Sequence, residues 1–294
     1  MAAPELALQF ADMQRFLHDE VEIAFLDQGE GEAIVLVHGF ASTAHVNWVY
    51  PGWVATLVQA RRRVIALDNR GHGASSKLYD PAAYHSARMA DDVRALLDHL
   101  DLVRADVMGY SMGARITAFF ACAHPMRLRR AVLGGLGIHL VDGVGLPESI
   151  AEALEAPSRA DIRDPTERTF RAFAEQTNSD LRALAACIRG SRQTLTRAEV
   201  AAIRAPVLVA VGTEDAVAGS ARELAALLPA GLDERRNPAG IDPIHACGRS
   251  KAVHEDDRLA FSLVQKCDFD PVVLKTLHVC NLQSKLRTGI DLTR

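Results

Sequence analysis

Gly109, Tyr110, Ser111, Met112 and Gly113 form a G-x-S-x-G pentapeptide between an apolar run, DVM, and a helix-forming run, ARITAFFA. A serine hydroxyl attacks an acyl carbon only when a base takes its proton and fixed donors receive the charge that develops on the carbonyl oxygen. The pentapeptide suits the nucleophile's part. Glycine on either side lets the chain reverse from strand to helix so tightly that side chains would collide, and the serine is held strained with its hydroxyl projecting from the sheet. With Gly and Ser each near ~7% of residues, a chain of this length shows the bare pattern by chance roughly one time in ten, so the flanking strand and helix give it its weight. Two donors are readable. The Met112 N–H starts the helix after the nucleophile, and the loop His38, Gly39, Phe40 could bring the Phe40 N–H to the same point, so Phe40 and Met112 are the candidates for an oxyanion hole. His38 itself reads as a loop-shaping residue, because the loop lends its backbone to the chemistry.

Such a serine needs a sheet beneath it. From Gln14 to Leu26 the apolar residues Phe16, Val21, Ile23 and Phe25 alternate around the polar break His18, Asp19, Glu20, which predicts a hairpin of half-exposed strands. Ala33 to Val37 is a continuous β-branched run, as in a strand buried on both faces. Val64 to Leu67, Ala105 to Met108, Ala131 to Leu133 and Val207 to Val211 repeat that pattern. Helices are predicted over Ala87 to Leu100, from apolar residues at helical spacing, and over Ile116 to Ala123. Strands alternating with helices define an α/β class with a mostly parallel central sheet covered on both faces. Between Gly137 and Ala205 only helical segments are legible, at Ile150 to Leu154, Thr166 to Thr177, Leu181 to Cys187 and Glu199 to Ile203. They predict a helical cap over residues 138–205, inserted in a core of residues 1–137 and 206–294. Cap residues would then shape the acyl pocket, with Phe170, Phe173, Phe40 and Met112 as apolar lining and a helical core role as the alternative for the two cap phenylalanines.

The 294 residues, 49% hydrophobic, suffice for a large core, and a net charge of -4 excludes the general basic surface that nucleic acid or anionic lipid requires. The basic runs Arg61 to Arg63 and Arg127 to Arg130 read as helix caps or solvated loops. No secretory leader and no run near the ~18 apolar residues of a membrane span is visible. The cysteines, Cys122, Cys187, Cys247, Cys267 and Cys280, are an odd set without metal-ligand spacing, which predicts reduced thiols in a cytoplasmic protein that needs neither metal nor cofactor. The expected partner is a small ester, and nothing fixes the oligomeric state, a dimer included.

The stretches VLVHGF (Val35 to Phe40), LDNRGHGAS (Leu67 to Ser75), DVMGYSMGA (Asp106 to Ala114) and VLVAVGTED (Val207 to Asp215) together resemble the α/β-hydrolase superfamily, in its lipase and esterase-like branch with a helical cap. The resemblance implies Ser111 as nucleophile and Asp215 as the acid that orients the catalytic histidine, with Glu214 the alternative carboxylate. It also implies that the Asp68 to Ser75 segment is a structural turn, so His72 is a loop residue. The match fades after about residue 230. The family histidine would fall at Pro243, which leaves His245, two residues on, as the candidate base, with His254 and His139 behind it. The segment LDERRN (Leu232 to Asn237) replaces the apolar strand the family places there. This abrupt loss of pattern after Gly231 motivates the hypothesis that the coding sequence of the tail has shifted reading frame. Peptide mass mapping that finds a different tail supports it, and recovery of this tail weakens it.

The activity implied is hydrolysis of small to medium carboxylic esters through an acyl-enzyme. The same constellation also serves carbon–carbon bond hydrolases, lactonases, perhydrolases and acyltransferases, and a ligand-binding protein on a hydrolase scaffold is the alternative of a different class.

Overall fold

The computed structural model describes residues 13–143, 145–212, 215 and 217–229, and the backbone of 250–253. The predicted hairpin is present as β1 (Gln14–His18) and β2 (Val21–Gln28). Then follow β3 (Glu32–Val37), a π-turn (His45–Val49), α1 (Trp53–Gln59), β4 (Arg62–Leu67), α2 (Ser86–His99), β5 (Ala105–Tyr110), α3 (Met112–Ala123) and β6 (Leu128–Gly134). Five helices come next: α4 (His139–Asp142), α5 (Ser149–Glu155), α6 (Pro165–Gln176), α7 (Leu181–Gly190) and α8 (Arg197–Ala201). The chain then returns to the sheet as β7 (Val207–Ala210), followed by α9 (Ala221–Leu227) and β8 (Ser250–Val253).

The eight strands form one sheet in the order β1-β2-β4-β3-β5-β6-β7-β8, antiparallel through β1, β2 and β4 and parallel from β4 to β8. Alternate side chains of the central strands feed two cores. Val35, Val37, Ile65, Leu67 and Val107 join Met89, Val93, Leu96 of α2 and Ile116, Phe120 of α3. Ile34, Leu36, Val64, Ala66 and Met108 face the other way, onto Trp48, Trp53 and Leu57. Burial on both faces explains why these strands are continuous apolar runs rather than alternating ones. Because β3 connects to β4 on one side and its other neighbour is β5, the order reverses at β3/β5. The loops after β3 and β5 therefore diverge and leave a crevice at the C-terminal ends of the strands, where ligands bind in open α/β sheets.

Arg61 and Arg127 lie in turns, as a loop reading of the basic runs expects, but Arg62, Arg63 and Arg129 do not. Arg62 and Arg63 lie in β4, where Arg62 reaches Asp106 at 2.5 Å and Arg63 reaches Asp27 at 2.7 Å, and Arg129 of β6 meets the other Asp106 oxygen at 2.8 Å. Carboxylates on neighbouring strands claim these charges. A second buried pair holds the hairpin and a loop to α2. Arg70 donates to both oxygens of Asp92 at 2.6 and 2.7 Å, with both side chains almost fully buried, and His18 Nδ1 lies 2.8 Å from the same carboxylate. That contact raises the His18 pKa.

Candidate active site

Ser111 is the single residue between the end of β5 and the start of α3, with φ 52° and ψ -112°. A residue with a Cβ adopts such angles only where the surroundings over-determine them, at a cost of order 1–3 kcal/mol. Here they do. A Cβ on Gly109 would lie 2.1 Å from Gly113 O, and one on Gly113 would lie 2.0 Å from Val37 O, so both glycines are required for α3 to start this close to β3. The Ser111 N–H donates to Gly134 O at 2.8 Å, and Arg115 N–H donates to Ser111 O at 3.1 Å. The reversal is thus tied into the sheet on one side and the helix on the other.

The loop after β3 is braced in the same way. His38 is fully buried. Its Nδ1–H donates to Gly39 O at 2.7 Å while its Nε2 accepts from the Asn69 N–H at 2.9 Å. Burial pulls its pKa down to about 4, so the ring is neutral, and with both nitrogens engaged in the fold it shapes the loop. Asn69 Nδ2 also donates to His38 O, and the Gly39 N–H donates to Asn47 Oδ1 at 3.0 Å. Asp68 accepts from Ala44 N and Ala74 N, both at 2.7 Å. The LDNRGHGAS segment is therefore a clamp on the loop that carries Phe40. His72 belongs to that clamp. It is fully buried, donates from Nδ1 to Arg70 O at 3.0 Å and has a pKa pulled down to about 3 by burial and by the neighbouring His38.

Phe40, Ser111 and Met112 line one cleft of about 650 Å³ of empty space, its open mouth included. Leu136, Leu146 and Ile188 supply further apolar wall, and Cys187 packs behind it with its thiol 3.7 Å from the Met112 sulfur. Phe170 and Phe173 are not on this wall. The phase of α6 turns Arg171 and Ala174 inward, and the two phenylalanines sit half-buried against the main core, with the Phe170 ring 6.2 Å from that of Phe40. Beside that contact the Thr177 hydroxyl lies 3.1 Å from Ala41 O, so the end of α6 touches the Phe40 loop directly.

Two arginines that sequence reading passed over also line the cleft. Arg115, one turn along α3 from Ser111, donates to Gln193 O at 2.6 Å and His139 O at 3.2 Å. Desolvation, with Arg192 nearby, pulls its pKa down to about 10. Arg192 donates to Leu146 O at 2.6 Å. The i, i+4 spacing of Ser111 and Arg115 on one helix was the available signal for the first.

Asp215 follows β7 and folds back on its own turn, its Oδ1 accepting from Val217 N at 2.9 Å and Ala218 N at 3.1 Å. No such bond occupies its Oδ2 among the described residues. His139 is beside that turn, with Nδ1 2.8 Å from Val217 O. Glu214, His245 and His254 lie outside the described residues. Ser250 pairs with Val207 and Val253 with Ala210, so β8 runs parallel to β7.

Among the described residues, no group of three or more His, Cys, Asp or Glu could hold a metal ion, and no helix is long and apolar enough to cross a membrane. Cys122 and Cys187 are free thiols.

A strained serine between a strand and a helix, at the switch point of a mostly parallel sheet, is the arrangement of the α/β-hydrolase fold. Residues 32–156 match the family model for the alpha/beta hydrolase fold, which is the fold of this chain. Among characterised relatives it is 36% identical over 144 residues to 2-hydroxymuconate semialdehyde hydrolase of Pseudomonas sp. (strain CF600), a match covering 47% of each chain. The chain spans less than half the length of the curated relatives it matches. Among solved structures it resembles a hydrolase from Pseudomonas aeruginosa, with a TM-score of 0.65 at 22% identity, over 91% of this chain and 99% of that one. The enol-lactonase from Burkholderia xenovorans gives a TM-score of 0.63 at 22% identity, over 87% and 99%.

Proposed function

We propose that the protein is a serine hydrolase that cleaves small to medium carboxylic esters through an acyl-enzyme on Ser111. One observation carries this reading: Ser111 is held at φ 52° on the wall of an open cleft, and strain of that kind persists where the hydroxyl is used. In the reaction, Ser111 Oγ attacks the ester carbonyl while a histidine takes its proton. The backbone N–H groups of Phe40 and Met112 receive the oxyanion. The alcohol leaves with the proton from the histidine, water attacks the acyl-serine by the reverse route, and the acid departs. Asp215 orients the histidine through its Oδ2. His245 is the candidate for that base, with His254 and His139 behind it. The helices of residues 138–205 act as a cap over the cleft. Free Cys187 suits a reducing, cytoplasmic setting.

A fluorophosphonate probe tests the proposal. It is expected to label the wild type and not Ser111→Ala; a protein that binds ester analogues but never reacts would be a ligand-binding scaffold instead. The relatives' names support a second reading, cleavage of a carbon–carbon bond or a lactone by the same serine, which assays on a vinylogous diketone acid and an enol-lactone would reveal.

A further inference from the structure

We infer that the cleft beside Ser111 selects esters that carry a free carboxylate, such as half-esters of dicarboxylic acids, which Arg115 and Arg192 bind through their guanidinium groups. The inference rests on the hydrolase reading and names its substrate class.

The argument is one of unanswered charge. The less exposed arginines elsewhere in the molecule meet carboxylates: Arg62 and Arg129 meet Asp106, Arg63 meets Asp27 and Arg70 meets Asp92. Arg115 and Arg192 form no ion pair among the described residues, although both line the nucleophile's cleft. Arg115 is held by two carbonyl oxygens, which fix its orientation without neutralising it. A guanidinium has five N–H donors, and only two of those on Arg115 are spent in this way. Desolvating Arg115 with the like charge of the exposed Arg192 nearby is unfavourable, as the lowered Arg115 pKa reflects, and an arriving carboxylate reverses that. Arg115 follows Ser111 by one helical turn, about 6 Å along the axis, so the carboxylate and the scissile acyl group belong to one short molecule. The apolar residues Leu136, Leu146 and Ile188 then accommodate the methylenes between them.

The test compares kcat/KM for monomethyl glutarate and for methyl pentanoate, an ester with the same number of acyl carbons and no charge. The wild type is expected to prefer the half-ester by about tenfold or more, the worth of one charge-assisted hydrogen bond. That preference should shrink from about 0.01 M to about 1 M salt, as the screening length falls from ~30 to ~3 Å. Arg115→Gln should bring the ratio towards one, and Arg115→Lys should keep most of it. If Arg115→Gln does not fold, Arg192→Gln and the wild-type salt series still decide. Labelling by fluorophosphonate with equal rates on the two esters overturns this inference and leaves the hydrolase standing. Absence of both labelling and turnover overturns the hydrolase reading, and this one with it.

Discussion

Replacing Ser111 by glycine and, separately, by alanine divides its conformational cost from its chemistry. Both changes delete the hydroxyl, so both should abolish fluorophosphonate labelling. They differ in the backbone. At φ 52° and ψ -112° alanine keeps the steric penalty of a Cβ, of order 1–3 kcal/mol, whereas glycine is free of it. Glycine in turn loses about 0.5–1 kcal/mol more conformational entropy on folding. Taken at mid-range, the difference leaves Ser111→Gly more stable than Ser111→Ala by about 1 kcal/mol, or roughly 2–4 °C in Tm. Paired urea titrations and thermal scans of the two variants measure it. If alanine proves equal to or more stable than glycine, the serine is not strained, and the inference from strain to catalysis fails.

Three further outcomes follow from the same structure. His38 and His72 are buried neutral, with pKa values lowered from 6.5 to about 4 and about 3. Their contribution is therefore full above pH 6.5 and is lost as pH falls through 6.5 towards 4, at up to about 1.4 kcal/mol per pH unit for each; urea midpoints equal at pH 7.5 and pH 5 would contradict this. Arg70→Met should cost about 3–5 kcal/mol by stranding Asp92, and Arg70→Met with Asp92→Leu should recover much of that; a double variant no better than the single one would show that the pair is not the reason. With 4-nitrophenyl acetate, His245→Ala should lower kcat by about 10²-fold or more, and undiminished turnover would move the base to another histidine.

The central strands and the serine turn were legible because their signals are local. A strand buried on both faces is an uninterrupted apolar run, and the G-x-S-x-G glycines record a close approach that no other residue permits. Helix α1 was missed because Pro51 and Gly52 punctuate its start like a loop, Gly52 having φ 88°, and its seven residues are too few to establish a period. Helix α9 did carry a signal, Ser220 accepting from the Glu223 N–H in an S-x-x-E pattern. Arg62 and Arg129 were misread because the carboxylate that claims them is distant in sequence: Asp106 lies on a different strand from both. The pairing of Arg115 with Arg192 on the cleft wall was invisible for the same reason, since the two are 77 positions apart in sequence (192 − 115). Where LDERRN stands in place of an apolar segment, no periodicity remained to read.

The contact of Thr177 with Ala41 O, with Phe170 beside Phe40, joins the end of α6 to the loop after β3 across 136 positions of sequence. A substitution at Thr177, far from the serine turn along the chain, therefore acts on the very loop that His38 and Asn69 brace from the other side.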